Sequence, residues 1–351
     1  MKIEQIGEFG LIERISRIVS PGNRALDFNR RFSQDFIGIG DDAAVVKLSG
    51  RKCLLWTTDV LVENVHFLRS PSSVSTAFML GWKSLAVSLS DIAAMGGMPK
   101  YALVSLGLRK NENTEFVEEL YRGMKKIAQK FKVEIIGGDT TRSAATFINT
   151  AVCGEVEKKN LMLRSGAKPG DIICVTGTCG DSAAGLKLLK TVVRPPAGET
   201  GRSSTAVRKL IRKHLMPVPR VREAGLIAKS GMATSMIDNS DGLVSCVRFI
   251  CGASAAGAVI YENKVPLSRE LAGLARSRAE AVKKMCLSGG EDYELVFTVK
   301  KKFADSLKDR LMRKNVLITP IGEIKKKNEG LNIIRADGSR KTMREFGFEH
   351  F

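Results

Sequence analysis

Apolar and polar positions along the chain switch repeatedly between the spacing of a strand and that of a helix, marking two cycles of strand and helix. In the first cycle, residues 9–18 read as a helix, and Gly40-Asp41-Asp42 as a turn into a strand at 43–48. A second strand, 53–57, is expected to end at Thr58-Asp59. Phe78, Trp82, Leu85, Leu89 and Ile92 then recur at helical spacing, with Ser84, Ser88 and Asp91 on the neighbouring stripe. Met95-Gly96-Gly97 closes that helix as glycine does at a C-cap. A strand at 101–106 leads to a helix starting at Asn113 or Thr114, whose buried stripe is Phe116, Leu120, Met124, Ile127 and Phe131. A strand at 133–136 is expected to stop at Gly137-Gly138-Asp139-Thr140-Thr141, and another at 147–156 completes the first domain.

The second cycle opens at the turn Lys168-Pro169-Gly170-Asp171. It runs through a strand at 172–176 into the glycine-rich turn Gly177-Thr178-Cys179-Gly180-Asp181-Ser182 and a helix at 183–189. Residues 193–204, with paired prolines and small polar side chains, read as a surface loop. A strand at 233–237 meets Asp238-Asn239-Ser240-Asp241-Gly242, and Ser288-Gly289-Gly290-Glu291-Asp292-Tyr293 precedes a strand at 294–299. The alternation predicts an α/β or mixed α+β protein of two domains, 1–156 and 157–351. Strand order is not written in the pattern.

Composition narrows the classes. With 351 residues, 44% apolar and 26% charged, the chain is globular and long enough for two cores. No apolar run approaches the roughly 20 residues that span a bilayer. Glu4, Glu8 and Glu13 interrupt the N-terminus, which therefore lacks the apolar centre of a signal peptide, so a cytoplasmic protein is expected. The 7 cysteines include no Cys-x-x-Cys and lie in apolar stretches, as small buried hydrophobes do in a reducing compartment. The net charge of +19 raises the question of nucleic acid. The first hundred residues are nearly balanced, however, and runs such as Lys300-Lys301-Lys302 and Lys325-Lys326-Lys327 carry no interleaved aromatics. Solvated faces explain them, and no specific nucleic-acid or membrane partner is expected.

The aspartates change the picture. Asp42, Asp59, Asp139 and Asp238 fall at expected strand ends or tight turns, Asp91 ends a helical polar stripe, and Asp241 follows Asp238 by three. A single turn aspartate is usually a turn former. Six beside glycine, serine or threonine suggest a shared site, whose mutual repulsion needs a counter-charge. Hard divalent cations bound through oxygen supply it, magnesium above all where phosphates complete the coordination. With 3 histidines in the chain (His66, His214 and His350), an imidazole-built zinc site is not expected. Gly81-Trp82-Lys83-Ser84 lacks the earlier glycine of a Walker A loop and lies inside a helix. Gly38-Ile39-Gly40-Asp41-Asp42-Ala43 leads into a strand, which excludes a dinucleotide fingerprint.

Nine motifs occur in a fixed order: Gly40-Asp41-Asp42-Ala43-Ala44, Thr57-Thr58-Asp59, Asn64-Val65-His66-Phe67, Ser88-Leu89-Ser90-Asp91-Ile92-Ala93-Ala94-Met95-Gly96, Gly137-Gly138-Asp139-Thr140-Thr141, Arg164-Ser165-Gly166-Ala167, Gly180-Asp181-Ser182-Ala183-Ala184-Gly185, Asp238-Asn239-Ser240-Asp241-Gly242-Leu243 and Ser288-Gly289-Gly290-Glu291-Asp292-Tyr293-Glu294-Leu295. In this order the chain resembles the thiamine-monophosphate kinase family, from Gly7-Glu8-Phe9 to Gly347-Phe348-Glu349-His350-Phe351. The resemblance implies the two-domain fold shared with aminoimidazole ribonucleotide synthetase, selenophosphate synthetase and a hydrogenase-maturation enzyme. It implies an N-terminal half that binds ATP and magnesium and forms a homodimer through its strands, and a C-terminal half that completes the cleft. Carried over motif by motif, Asp42, Thr58, Asp59, Asp91, Asp139, Asp238 and Asp241 would be ligands of several magnesium ions. Thr57, Gly138, Asp139, Arg164 and Ser240 would contact ATP, with Tyr121 near the nucleotide. His66, Glu291 and Phe348 would face thiamine monophosphate.

The implied reaction moves the γ-phosphoryl of ATP onto the phosphate of thiamine monophosphate. That acceptor is already an anion near neutral pH, so no residue is expected to act as a general base. Two competitors stand beside this reading: another ATP-dependent enzyme of the same fold, and a basic nucleic-acid-binding protein whose aspartates only cap helices. A selenophosphate synthetase would need a reactive cysteine near the N-terminus, whereas the first cysteine here is Cys53, in an expected strand.

Overall fold

The computed structural model describes residues 2–19, 36–48, 50–69, 76–193 and 205–343. Its first half runs α1 (Gly7–Val19), β1 (Phe36–Ile37), β2 (Ala44–Lys47), β3 (Lys52–Val62), α2 (Ala77–Ala94), β4 (Met98–Leu108), α3 (Thr114–Phe131), β5 (Glu134–Arg142) and β6 (Phe147–Glu157). The second half runs β7 (Ile172–Thr176), α4 (Asp181–Val193), α5 (Thr205–Leu215), α6 (Val221–Ser230), β8 (Ala233–Asp238), α7 (Leu243–Ser254) and β9 (Ala256–Tyr261). It closes with α8 (Arg269–Ser288), β10 (Leu295–Val299), α9 (Ala304–Met312), β11 (Ile318–Lys326), β12 (Leu331–Ile334) and β13 (Arg340–Thr342).

The strands form two mixed sheets. The first has the order β1-β2-β3-β6-β4-β5, antiparallel except where β4 meets β5. The second has the order β13-β12-β9-β11-β7-β10-β8, antiparallel except where β12 meets β9. Among the described residues the first sheet is covered on one side only, by α2 and α3 through Leu55, Val104, Leu106, Leu85, Leu89, Met124 and Ile127. The second is covered on both. Ile173, Val175 and Val296 pack toward α5, α7 and α8, while Cys174, Leu295 and Phe297 pack toward α6 and α9. That double burial explains why β10 is apolar without alternation.

Helix α2 belongs to both halves. From residue 80 to residue 94 every side chain but Asp91 is buried. Its first turns lie on the first sheet, whereas Ala93 and Ala94 join the core of the second. Thr76 starts it by accepting the Met79 N–H at 3.2 Å. Glycine lets α3 approach: a Cβ on Gly81 would lie 1.8 Å from the Leu120 carbonyl oxygen, and one on Gly123 would lie 1.9 Å from that of Phe78.

Two strands outrun the sequence expectation. β3 continues through Thr58-Asp59 to Val62, and β5 continues through Gly137-Gly138-Asp139 to Arg142. Polar and glycine residues read locally as stops, but an eleven-residue pairing with β6 and a parallel pairing with β4 hold them extended. Asp59 and Asp139 therefore stand inside strands. Among the described residues no helix is long and apolar enough to cross a membrane. Phe348 and nearly all of the expected loop at 193–204 lie outside the described residues.

Candidate active site

Acidic side chains from four separate stretches meet beside α2. Asp42 comes from the turn before β2, Asp59 from β3, Asp91 from the last turn of α2 and Asp238 from the end of β8. Carboxylate oxygens of Asp42, Asp91 and Asp238 all lie within 4.8 Å of one another, and Asp59 shares a hydrogen bond with Asp91.

Hydroxyls fix these carboxylates in place. Alternation along β3 turns Thr57 and Asp59 toward α2, and the Thr57 hydroxyl donates to Asp91 Oδ2 at 2.5 Å. One turn before Asp91, the Ser88 hydroxyl donates to Asp59 Oδ2 at 2.8 Å. Ser90 reaches the other way and donates to Asp238 Oδ2 at 2.6 Å, tying the helix to the second sheet. Arg164 grips Asp42 Oδ1 through Nε at 3.1 Å and Nη2 at 2.5 Å, and its backbone N–H donates to Asp41. Asp42 Oδ2 is buried with no hydrogen-bond donor among the described residues.

The cluster carries more negative charge than one arginine can balance. Burial raises Asp91 well above the ordinary carboxylate range, and the charges of Asp59, Asp238 and Asp42 raise it further. Asp238 is raised by burial and then by Asp42, with Asp241 adding to the push. Burial also raises Asp42 and Asp59, against the opposing pull of Arg164 on the first and Ser88 on the second. Asp41 is pushed up to about 7 by burial and then by Asp42. An all-oxygen donor set, an orphaned buried carboxylate oxygen and no imidazole or thiolate among the three converging ligands fit a hard divalent cation.

Other expected site residues fall elsewhere. The Thr58 hydroxyl is on the opposite face of β3 and donates to Asn149 Oδ1 at 2.7 Å, because neighbouring strand residues point to opposite faces. Asp139 stands opposite Ser105, which stands opposite Asn149, so it shares that outer face and its carboxylate does not join the cluster of its own chain. Gly138 lies beside it on β5, where a Cβ would strike the Val104 carbonyl oxygen at 1.8 Å. Tyr121 packs into the apolar layer with Leu61, Leu80 and Leu120. His66 accepts the Val62 N–H at Nδ1, 3.0 Å away, at the far end of β3.

The C-terminal half contributes a second polar constellation. Glu291 N–H donates to the Ser240 carbonyl at 2.6 Å, placing the glutamate against the Asp238–Asp241 turn. Its carboxylate lies 2.6 Å from Lys83 Nζ on α2 and 3.2 Å from His214 Nδ1. Charge from Lys83 and the His214 contact hold Glu291 well below the usual carboxylate range, against burial. The sequence reading gave Glu291 a site role but none to Lys83, His214, or Asp41 and Ser90, although the last two stand inside the motifs. For Lys83 the signal was a lone lysine in the largely apolar first turns of a helix, since a buried ammonium needs a partner.

Comparison with known proteins gives the family. Residues 40–156 match the family described as AIR synthase related protein, N-terminal domain, and residues 168–333 match AIR synthase related protein, C-terminal domain. The thiamine-monophosphate kinase of Aquifex aeolicus is 35% identical over 353 residues, covering 100% of both chains. That of Buchnera aphidicola subsp. Schizaphis graminum is 38% identical over 316 residues, covering 90% of this chain and 92% of its own. A solved structure described as AaThiL complexed with AMPPCP and TMP superposes with a TM-score of 0.82 at 35% identity, over 100% of this chain and 99% of that one.

Proposed function

The chain belongs to the thiamine-monophosphate kinase family, and from that premise we propose how its residues carry the reaction. It transfers the γ-phosphoryl group of ATP to thiamine monophosphate. An oxygen of the acceptor phosphate forms the new bond to the γ-phosphorus, the bond from that phosphorus to the β-phosphate oxygen breaks, and thiamine diphosphate and ADP leave. The acceptor oxygen is already ionised near neutral pH, so no side chain has to remove a proton.

The observation that supports this reading most directly is the meeting of Asp42, Asp91 and Asp238, drawn from both halves of the chain, with carboxylate oxygens within 4.8 Å of one another. Asp42, Asp59, Asp91 and Asp238, with Asp241 beside them, would hold magnesium ions. Bound there, these ions would neutralise the two phosphate groups being pressed together and stabilise the charge of the in-line transition state. Thr57, Ser88 and Ser90 keep the carboxylates aimed. Arg164 stands beside Asp42 with a planar fork that suits phosphate oxygens. In this reading Thr57, Tyr121, Gly138, Asp139, Arg164 and Ser240 would serve the nucleotide, and His66, Glu291 and Phe348 the acceptor.

We further propose a homodimer of chains divided at residues 156 and 157. The uncovered face of the first sheet supports it: Trp56, Val60, Tyr101, Leu103 and Ile136 lie there, from 41% to 60% exposed. Register puts Thr58 and Asp139 on the same face, so pairing two such faces carries both residues to the joint between copies.

Incubation with ATP, magnesium and thiamine monophosphate tests the reaction. Thiamine diphosphate and ADP are expected in equal amounts by chromatography. Loss of ATP without thiamine diphosphate would overturn the acceptor assignment.

A further inference from the structure

Lys83 is the one ammonium placed within the buried run of α2, and its side chain is 3% exposed. Its neighbours Leu80, Gly81, Trp82, Leu85, Ala86 and Val87 offer no charge. Left alone, a buried ammonium is strongly unfavourable. Its partner comes from the other half of the chain: Glu291 Oε1 at 2.6 Å. The second carboxylate oxygen, Oε2, lies 3.2 Å from His214 Nδ1, itself 3.0 Å from the Ser182 hydroxyl.

The loop that carries Glu291 has little freedom. Glu291 sits at φ 64° and Tyr293 at φ 51°, left-handed positions that cost a non-glycine residue energy. They are held by bonds from Glu291 N–H to Ser240 and from Tyr293 N–H to Asn239 at 3.0 Å. The Asp292 carboxylate accepts the N–H groups of Gly180 and Ser182 at 2.6 and 2.9 Å, fastening the loop to the start of α4. With the backbone fixed, Lys83 and His214 decide where the carboxylate points. The Glu291 side chain remains 28% exposed, so part of it faces open space beside the Asp238–Asp241 turn.

We propose that Lys83 is a positioning residue for acceptor recognition: it holds the Glu291 carboxylate at the edge of the cleft, where it meets the cationic thiazolium ring of thiamine monophosphate. The proposal rests on the reading of Glu291 as an acceptor contact. It adds that α2 serves both substrates: its last turn carries Asp91 for the nucleotide, and its second turn sets the group that reads the acceptor.

Steady-state kinetics with each substrate varied in turn tests it. Lys83→Met is expected to raise KM for thiamine monophosphate about tenfold while KM for ATP holds within about twofold. Lys83→Arg is expected to recover most of the loss. Combining Lys83→Met with Glu291→Gln should cost no more than Glu291→Gln alone, because both act through one carboxylate. If Lys83→Met does not fold, Lys83→Gln, which keeps a polar donor but is one bond shorter and uncharged, is read in the same way. Equal rises in both KM values, or additive losses in the double variant, would overturn the proposal and leave Lys83 a structural residue. An unchanged KM for thiamine monophosphate in Glu291→Gln would overturn the acceptor assignment itself. A strong effect there with a silent Lys83→Met overturns only the role of Lys83.

Discussion

Asp91 is surrounded by Asp42, Asp59 and Asp238, with hydroxyls rather than cations as its nearest donors. Such a residue works against folding when metal is absent and is indispensable when it is present. Asp91→Asn is therefore expected to reduce turnover by at least about a hundredfold while raising the melting temperature of the metal-free protein by a few degrees. Activity near that of the parent chain would remove Asp91 from the metal site. At this scale the sequence was most legible where chemistry is local: aspartates beside glycine, serine and threonine pointed to six residues, of which the structure brings Asp42, Asp91 and Asp238 within 4.8 Å of one another and leaves Asp139 on the outer face of the first sheet. It was least legible where a partner arrives from far along the chain. Nothing near Ser90 signals Asp238, nothing near Lys83 signals Glu291, and the alternation of β3 could not tell which face Thr58 would take.

Among the elements, α2 and α3 are held at a distance only glycine permits. Gly123→Ala would put a methyl group 1.9 Å from the Phe78 carbonyl oxygen, against backbone that cannot move aside alone. A loss of about 3 kcal/mol is expected in urea unfolding, at the upper end of overpacking costs, together with lower activity because the α2 carboxylate shifts. A stability loss below about 1 kcal/mol would show that the helices separate easily. Helical stripes and most strand cores were readable because periodicity is a local property. The reach of β3 and β5 was not, since their polar second halves are extended by pairing with β6 and β4 rather than by their own propensity. The edge strands β12 and β13 and the order of both sheets likewise depend on contacts distant in sequence.

For the whole molecule, the raised carboxyl groups set a pH dependence. Their folded pKa values exceed the unfolded value of about 3.9, so the folded chain binds more protons than the unfolded one between those limits. Stability must then fall as pH rises through the folded values. With Asp41 pushed up to about 7 and Asp292 to about 8, and Asp91 and Asp238 well above the ordinary range, the loss extends through pH 6.5 to 8. His214, lowered by burial and by Lys83, opposes this only below its unfolded value of about 6.5. A metal-free melting temperature that declines across this window, and a rise of several degrees on adding magnesium at pH 8, are the expected results. A flat or rising curve without metal would contradict the burial of these acids. The dimer is tested separately by sedimentation: Ile136→Glu, at a position 60% exposed, is expected to yield monomers that remain folded. An unchanged dimer would place the interface elsewhere.

Helix α2 has no outer side, and that bears on where the polypeptide can be cut. Its early turns seal one sheet and its final alanines seal the other, so a fragment ending at residue 156 would expose Ala93 and Ala94 to water. The complementary fragment would lose the wall that Phe297 and Ile227 lean on. Expressed apart, the halves should aggregate; mixed during refolding, they should reassemble into a working enzyme.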